Sequence, residues 1–259
     1  MRILIMGAGK MGTFLTDALC LNHEVALYDK DPRRLRFVFN TQRLSQVEEI
    51  QYFQPELLIN AVTIKYTIEA FESVLRFLPK DCIISDIASV KTGLPEYYAK
   101  TGMRFVSTHP MFGPTFANLD NLSNQNAVII SEGDEEGKKF FLDFYKSLHL
   151  NIFEYTFQGH DETTAYSLSV PFATTLAFSS AIKRINAPGT TFKKHMEIAH
   201  GFLNEDSFLI SEVLFNPFSA EHIKEIRDNM TKLLEIVENK DKDTLDEFVK
   251  KAKKNVEGE

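Results

Sequence analysis

Met1-Arg2-Ile3-Leu4-Ile5-Met6-Gly7-Ala8-Gly9-Lys10-Met11-Gly12 opens the chain, a short apolar run that breaks into three glycines before an amphipathic stretch begins. The run reads as a buried strand and residues 12–20 as a helix, so the glycines occupy a strand-to-helix turn. In such a turn Gly7 permits the tight bend, Gly9 lets the backbone approach a pyrophosphate, and Gly12 allows the helix to pack closely on the strand. Lys10 and Met11 complete the phosphate-facing loop, and the helix N-terminus supplies amide donors and a positive dipole. A ligand-free turn is the bland alternative, but Asp29 weighs against it. It closes the next strand twenty residues after Gly9, where a carboxylate accepts hydrogen bonds from ribose hydroxyls. That carboxylate would repel the 2′-phosphate of NADP, which favours NAD; Lys30, Arg33 and Arg34 just beyond keep NADP open, although solvated first-turn charges are the simpler reading.

Working outward, β-branched runs at residues 2–6, 24–28, 57–61, 82–86, 104–107, 127–131 and 151–155 alternate with helical patterns clearest at 12–20, 67–77 and 137–148. Strands joined by helices imply a doubly wound α/β sheet of the Rossmann type. After about residue 156 the strand signal ends. Residues 163–184 read as a helix that is apolar nearly all round at 170–178, and helices follow at 196–203, 207–214, 220–237 and 244–252, broken at Pro188-Gly189 and Asn216-Pro217. The expected organisation is therefore a dinucleotide-binding domain over residues 1–155 and an all-α domain over 156–259. About a hundred helical residues carry more apolar surface than they can bury alone, including the stripe Ile223, Ile226, Met230, Leu233, Leu234 and Val237, so this half is expected to form a homodimer.

The 259 residues are 44% hydrophobic and 25% charged, with a formal net charge of -7 shared by both halves. Neither half offers the positive field that nucleic acid or an anionic membrane would favour. Cys20 and Cys82 make neither a disulfide framework nor a metal cluster, so no metal is expected and a reducing compartment fits. No targeting segment or bilayer-spanning run is legible, and a cytoplasmic location is expected.

Two further motifs carry the chemistry. Ser107-Thr108-His109-Pro110-Met111-Phe112-Gly113-Pro114 places one histidine on what reads as a loop stiffened by two prolines and a glycine, and Asp86-Ile87-Ala88-Ser89-Val90-Lys91 follows a buried strand. Ligands of open α/β sheets bind beyond the carboxyl ends of the strands, where Ser89 and His109 both fall. Histidine exchanges a proton near neutral pH, and a hydroxyl can donate to one partner while accepting from another. The pair suits oxidation of an alcohol, with hydride leaving carbon as a base takes the hydroxyl proton.

In order and spacing these two motifs resemble the prephenate/arogenate dehydrogenase family of tyrosine biosynthesis. The resemblance implies oxidation of a cyclohexadienol acid with loss of its ring carboxylate as CO2, and it gives His109 and Ser89 as the catalytic pair. Lys91 is implied to support the loop, a solvated lysine being its alternative. His160-Asp161 and Ala165 resemble the start of the family's first dimerisation helix, which makes His160 a substrate-binding candidate, with a helix N-cap as the plainer role for Asp161. Gly201-Phe202 and residues 205–217 resemble a later helix pair.

The chain departs from the family at Leu168-Ser169-Val170-Pro171-Phe172, where many relatives carry two histidines, and it lacks an arginine that binds a substrate carboxylate. Lys193 is the nearest replacement, a point charge without the bidentate fork, and Phe172 is expected to pack in the helix core. The expected function is NAD-dependent conversion of prephenate to 4-hydroxyphenylpyruvate. Arogenate is the near rival; a reductase of another small acid and a non-catalytic NAD-binding sensor are the distant ones.

Overall fold

The computed structural model describes residues 1–113, 121–183, 185–204 and 207–258; Pro114, Arg184, Glu205 and Asp206 of the quoted segments lie outside these. The chain divides into two compact units, Met1–Thr163 and Thr164–Glu259.

The first unit runs β1 (Arg2–Met6), α1 (Lys10–Leu19), β2 (Glu24–Tyr28), β3 (Gln42–Leu44), α2 (Ile50–Phe53), β4 (Leu57–Asn60), α3 (Thr67–Val74), β5 (Ile83–Asp86), α4 (Leu94–Thr101), β6 (Phe105–Pro110), β7 (Asn126–Ile130), α5 (Glu135–Ser147), β8 (Asn151–Tyr155) and α6 (Phe157–Thr164). Its sheet has the order β3-β2-β1-β4-β5-β6-β7-β8. Every neighbouring pair is parallel except β6 and β7. The central strands β1, β2, β4, β5, β6 and β7 are buried on both faces, and period-2 alternation sorts their side chains. Ile3, Ile5, Val25 and Leu27 pack with Leu15, Leu19, Phe141 and Tyr145, whereas Leu4, Met6, Leu58 and Ile84 pack with Phe71, Val74, Tyr97 and Tyr98. Helices therefore cover both faces, as a doubly wound sheet requires. The order reverses between β1 and β4, the switch point beyond whose carboxyl edge ligands of such sheets bind.

His109 sits in strand, not in a loop as its prolines suggested. β6 is parallel to β5 through Ser107, and then pairs antiparallel with β7, matching Thr108 to Ile129, His109 to Val128 and Pro110 to Ala127. Pro110 is tolerated because it closes the strand, where its missing N–H costs least. β3, α2 and α4 have no counterpart in the sequence reading.

The second unit begins with a π-helical turn, Ala165–Ser169, and continues with α7 (Val170–Ala181), α8 (Thr190–Leu203), α9 (Ser207–Leu214), α10 (Ser219–Asn239) and α11 (Lys242–Glu257). The wide turn lies just before Pro171, whose ring would clash with the carbonyl four residues back in a regular helix. Ser169 Oγ there meets Ser219 Oγ at 2.5 Å and the Val213 carbonyl at 2.9 Å. Phe172 packs edge-on against Phe202 at 4.8 Å. No residue of α7 is fully buried, and Met230, Leu234 and Val237 of the α10 stripe are 60%, 56% and 60% exposed.

Candidate active site

The glycine turn is shaped by contacts that a side chain would destroy. Gly7 adopts φ +98°, and a Cβ there would lie 2.9 Å from the Ala61 carbonyl oxygen. A Cβ on Gly12 would lie 1.8 Å from the Gly7 carbonyl oxygen, so α1 can approach β1 only with glycine at that position. Gly9 differs: a Cβ there meets nothing within 4 Å, which leaves open space at the N-cap of α1 for a ligand. Met11 packs its side chain on the core, so only its backbone is available to a phosphate, while the Lys10 side chain is exposed.

Asp29 follows β2 and is 7% exposed. Its Oδ2 accepts the Ala8 N–H at 2.8 Å and its Oδ1 the Asp31 N–H at 2.8 Å. These bonds tie the acid to the glycine loop and leave each oxygen a second lone pair for ribose hydroxyls. Arg33 is engaged by Asp31 through two bonds of 2.8 and 2.9 Å, and Lys30 lies over the Tyr66 ring. The cradle, the helix N-terminus and the acid together fit a dinucleotide.

The histidine lies on the same carboxyl edge of the sheet. His109 Nδ1 is 3.0 Å from His160 Nε2, and His160 Nδ1 is 3.0 Å from Asp161 Oδ1. Asp161 Oδ1 also accepts the Lys91 backbone N–H at 3.0 Å, and its Oδ2 the Thr92 hydroxyl at 3.3 Å. The Lys91 side chain is fully buried, contrary to the solvated alternative; its Nζ donates to Asp86 Oδ1 at 2.6 Å and to the Thr108 carbonyl at 2.7 Å. Asp86 in turn accepts the Tyr98 hydroxyl at 2.7 Å and the Ala88 N–H at 2.9 Å. Lys91 thus cross-links the end of β5 to β6 directly beside His109, and the Lys91 ammonium and the Asp86 carboxylate both have the hydrogen-bond partners that burial demands.

Burial pushes the His109 imidazole well below its ordinary pKa, and repulsion from His160 and Lys91 adds to this. Burial also lowers His160, against the opposing pull of Asp161. Both rings are therefore neutral at pH 7, and His109 is available as a base.

Of the residues named from sequence, the structure brings His109 and His160 into contact and ties Asp29 to the glycine loop. Ser89 is partly exposed in the segment after β5, on the carboxyl edge. Lys193 is exposed on the first turn of α8, in the second unit. Asp86, Thr92 and Tyr98 escaped the sequence reading. Asp86 carried a signal, an acid ending an otherwise apolar strand, whereas nothing in the sequence linked Tyr98 to it. Among the described residues no His, Cys, Asp and Glu cluster could hold a metal, and no helix is long and apolar enough to cross a membrane.

Residues 16–150 match the family model for the prephenate dehydrogenase nucleotide-binding domain, a span that includes Asp29, Ser89, Lys91 and His109. A probable arogenate/prephenate dehydrogenase of Methanocaldococcus jannaschii is 22% identical over 215 residues, or 77% of this chain and 48% of that protein. The chain thus spans about half the length of that curated relative. The crystal structure of the Aquifex aeolicus prephenate dehydrogenase, in complex with hydroxyphenyl propionate and NAD+, superimposes with a TM-score of 0.83 at 19% identity, covering 100% of this chain and 98% of that one. That of the Synechocystis arogenate dehydrogenase gives 0.79 at 16% identity, covering 100% and 99%.

Proposed function

The chain belongs to the prephenate dehydrogenase family, and on that premise we propose that it oxidises prephenate to 4-hydroxyphenylpyruvate and CO2 with NAD. The observation that carries this reading is His109, neutral, buried to 7% exposure at the carboxyl end of β6 and held by a hydrogen-bonded partner. NAD would lie along Gly7, Gly9, Lys10, Met11 and Gly12 with its ribose on Asp29, and when bound it accepts the hydride from ring C4. His109 takes the C4 hydroxyl proton as that carbon becomes a carbonyl. The electron pair of the bond to the departing carboxylate then enters the ring, and the phenolate oxygen takes the proton back. The proton is borrowed and returned, so a single well-aimed base suffices. Ser89 bridges the substrate hydroxyl and the histidine. Lys193 is the cation proposed for a substrate carboxylate, a point charge without a bidentate fork.

The exposed apolar residues of α7 and α10 support a homodimer built on the helical unit, and the free thiols Cys20 and Cys82 support a cytoplasmic setting. Arogenate is the second reading, favoured by the name of the curated relative, which covers both substrates, and by the Synechocystis structure. The two differ only in keto or amino on the side chain. His109→Ala tests the assignment: turnover falls about 10²-fold or more while NAD affinity stays near that of the parent. Near-normal turnover on both substrates would remove His109 from the chemistry.

A further inference from the structure

Asp161 is the fixed point of the buried chain behind His109. A carboxylate only accepts, so the 3.0 Å contact with His160 Nδ1 places the hydrogen on that nitrogen. Neutral His160 then carries a lone pair on Nε2, and the 3.0 Å contact with His109 Nδ1 is satisfied only if His109 donates. The remaining nitrogen of His109, Nε2, is left bare. We infer that His160 and Asp161 are positioning residues that lock His109 in the Nδ1–H tautomer, so that Nε2 is the nitrogen that takes the substrate proton.

The opposite arrangement would disarm the site, since a protonated His160 would donate to His109 Nδ1 and force hydrogen onto Nε2. The cluster resists it. Lys91 and Asp86 pair with each other, Tyr98 donates to Asp86, and the Lys91 N–H and the Thr92 hydroxyl fix the Asp161 carboxylate where it accepts from His160 Nδ1. Burial of His160 to 1% exposure and its lowered pKa keep it neutral. When His109 becomes cationic during turnover, its Nδ1–H strengthens the bond to His160, and the carboxylate of Asp161 offsets the charge through it. Both ring nitrogens of His160 are spoken for, so it acts through His109 and not as the substrate-binding residue expected from the sequence.

This rests on the reading of His109 as the base, yet its test needs no substrate. In protein carrying 15N-labelled histidine, the His109 ring, identified by its loss in His109→Gln, should show a pyridine-type Nε2 and a pyrrole-type Nδ1 at pH 7. In His160→Leu that pattern should give way to a mixture of tautomers, with kcat down about ten- to a hundredfold, less than the loss of the base itself, and with unchanged KM for prephenate and NAD. His160→Gln, whose amide can accept from His109 and donate to Asp161, should keep the tautomer and recover most of kcat, which separates positioning from folding. A pyridine-type Nδ1 on His109 in the parent would overturn the inference, as would a His160→Leu enzyme with parental kcat or one altered only in KM. Absence of parental turnover with correct nitrogen signals would instead fault the proposed reaction.

Discussion

Replacing Lys91 by Met keeps most of the stem's volume and removes the charge from a site that is 0% exposed. Asp86 loses its 2.6 Å partner and retains the Tyr98 hydroxyl and the Ala88 N–H, while the Thr108 carbonyl loses a donor. Breaking a buried pair at one end typically costs about 3–5 kcal/mol, because the surviving charge is uncompensated. An independent ceiling comes from the carboxylate's escape by protonation, which for an ordinary aspartate costs about 4 kcal/mol at pH 7. The two figures agree, and for a unit of this size about 4 kcal/mol lowers the melting temperature by about 10 °C. The ceiling falls to about 1.5 kcal/mol at pH 5, so the deficit relative to the parent should narrow on acidification. Lys91→Met with Asp86→Asn should recover much of the loss even at pH 7. Lys91 also depresses the His109 pKa, so the acid limb of kcat/KM, lying below 6.5 in the parent, should move upward in the single variant. Thermal unfolding of the three proteins at pH 7 and pH 5 checks the stability, and pH–rate profiles check the limb. A single variant within about 1 kcal/mol of the parent at pH 7 would refute the argument that this pair is a matched, buried unit.

Asp29→Ser should shift the ratio of catalytic efficiencies toward NADP, helped by Arg34 more than by Arg33, which Asp31 already holds; a parent enzyme that prefers NADP would show the role of Asp29 to be misjudged. Lys193→Met should raise KM for prephenate with NAD binding unchanged, and unchanged kinetics would make Lys193 a surface residue. Light scattering at micromolar concentration should give about twice the 29.6 kDa chain mass, and a monomer mass would contradict the dimer drawn from α7 and α10.

The parts of this fold written in local pattern were legible in the sequence. Seven strands, the glycine turn and the helical second half follow from alternation, glycine placement and helical spacing. β3 escaped because it is three residues long, with only Leu44 buried, and presents no alternation to detect. α4 escaped because Gly93, Pro95 and two adjacent tyrosines mask its amphipathic face. His109 read as a loop residue because proline argues against strand locally, and the partner that admits it, β7, is set by sheet topology. The chemistry shows the same division. His109 and Ser89 were readable as types at strand ends, whereas the contact between His109 and His160 spans 51 positions and the Lys91 cross-link depends on burial that no local pattern reports.

Steady-state assay of the purified protein with prephenate and arogenate, each with NAD and NADP, tests the central claim most directly. The account predicts the highest kcat/KM for prephenate with NAD, with NADH and CO2 formed in equal amounts as 4-hydroxyphenylpyruvate appears. Higher efficiency with arogenate, or reduction of neither cofactor by either substrate, would contradict it.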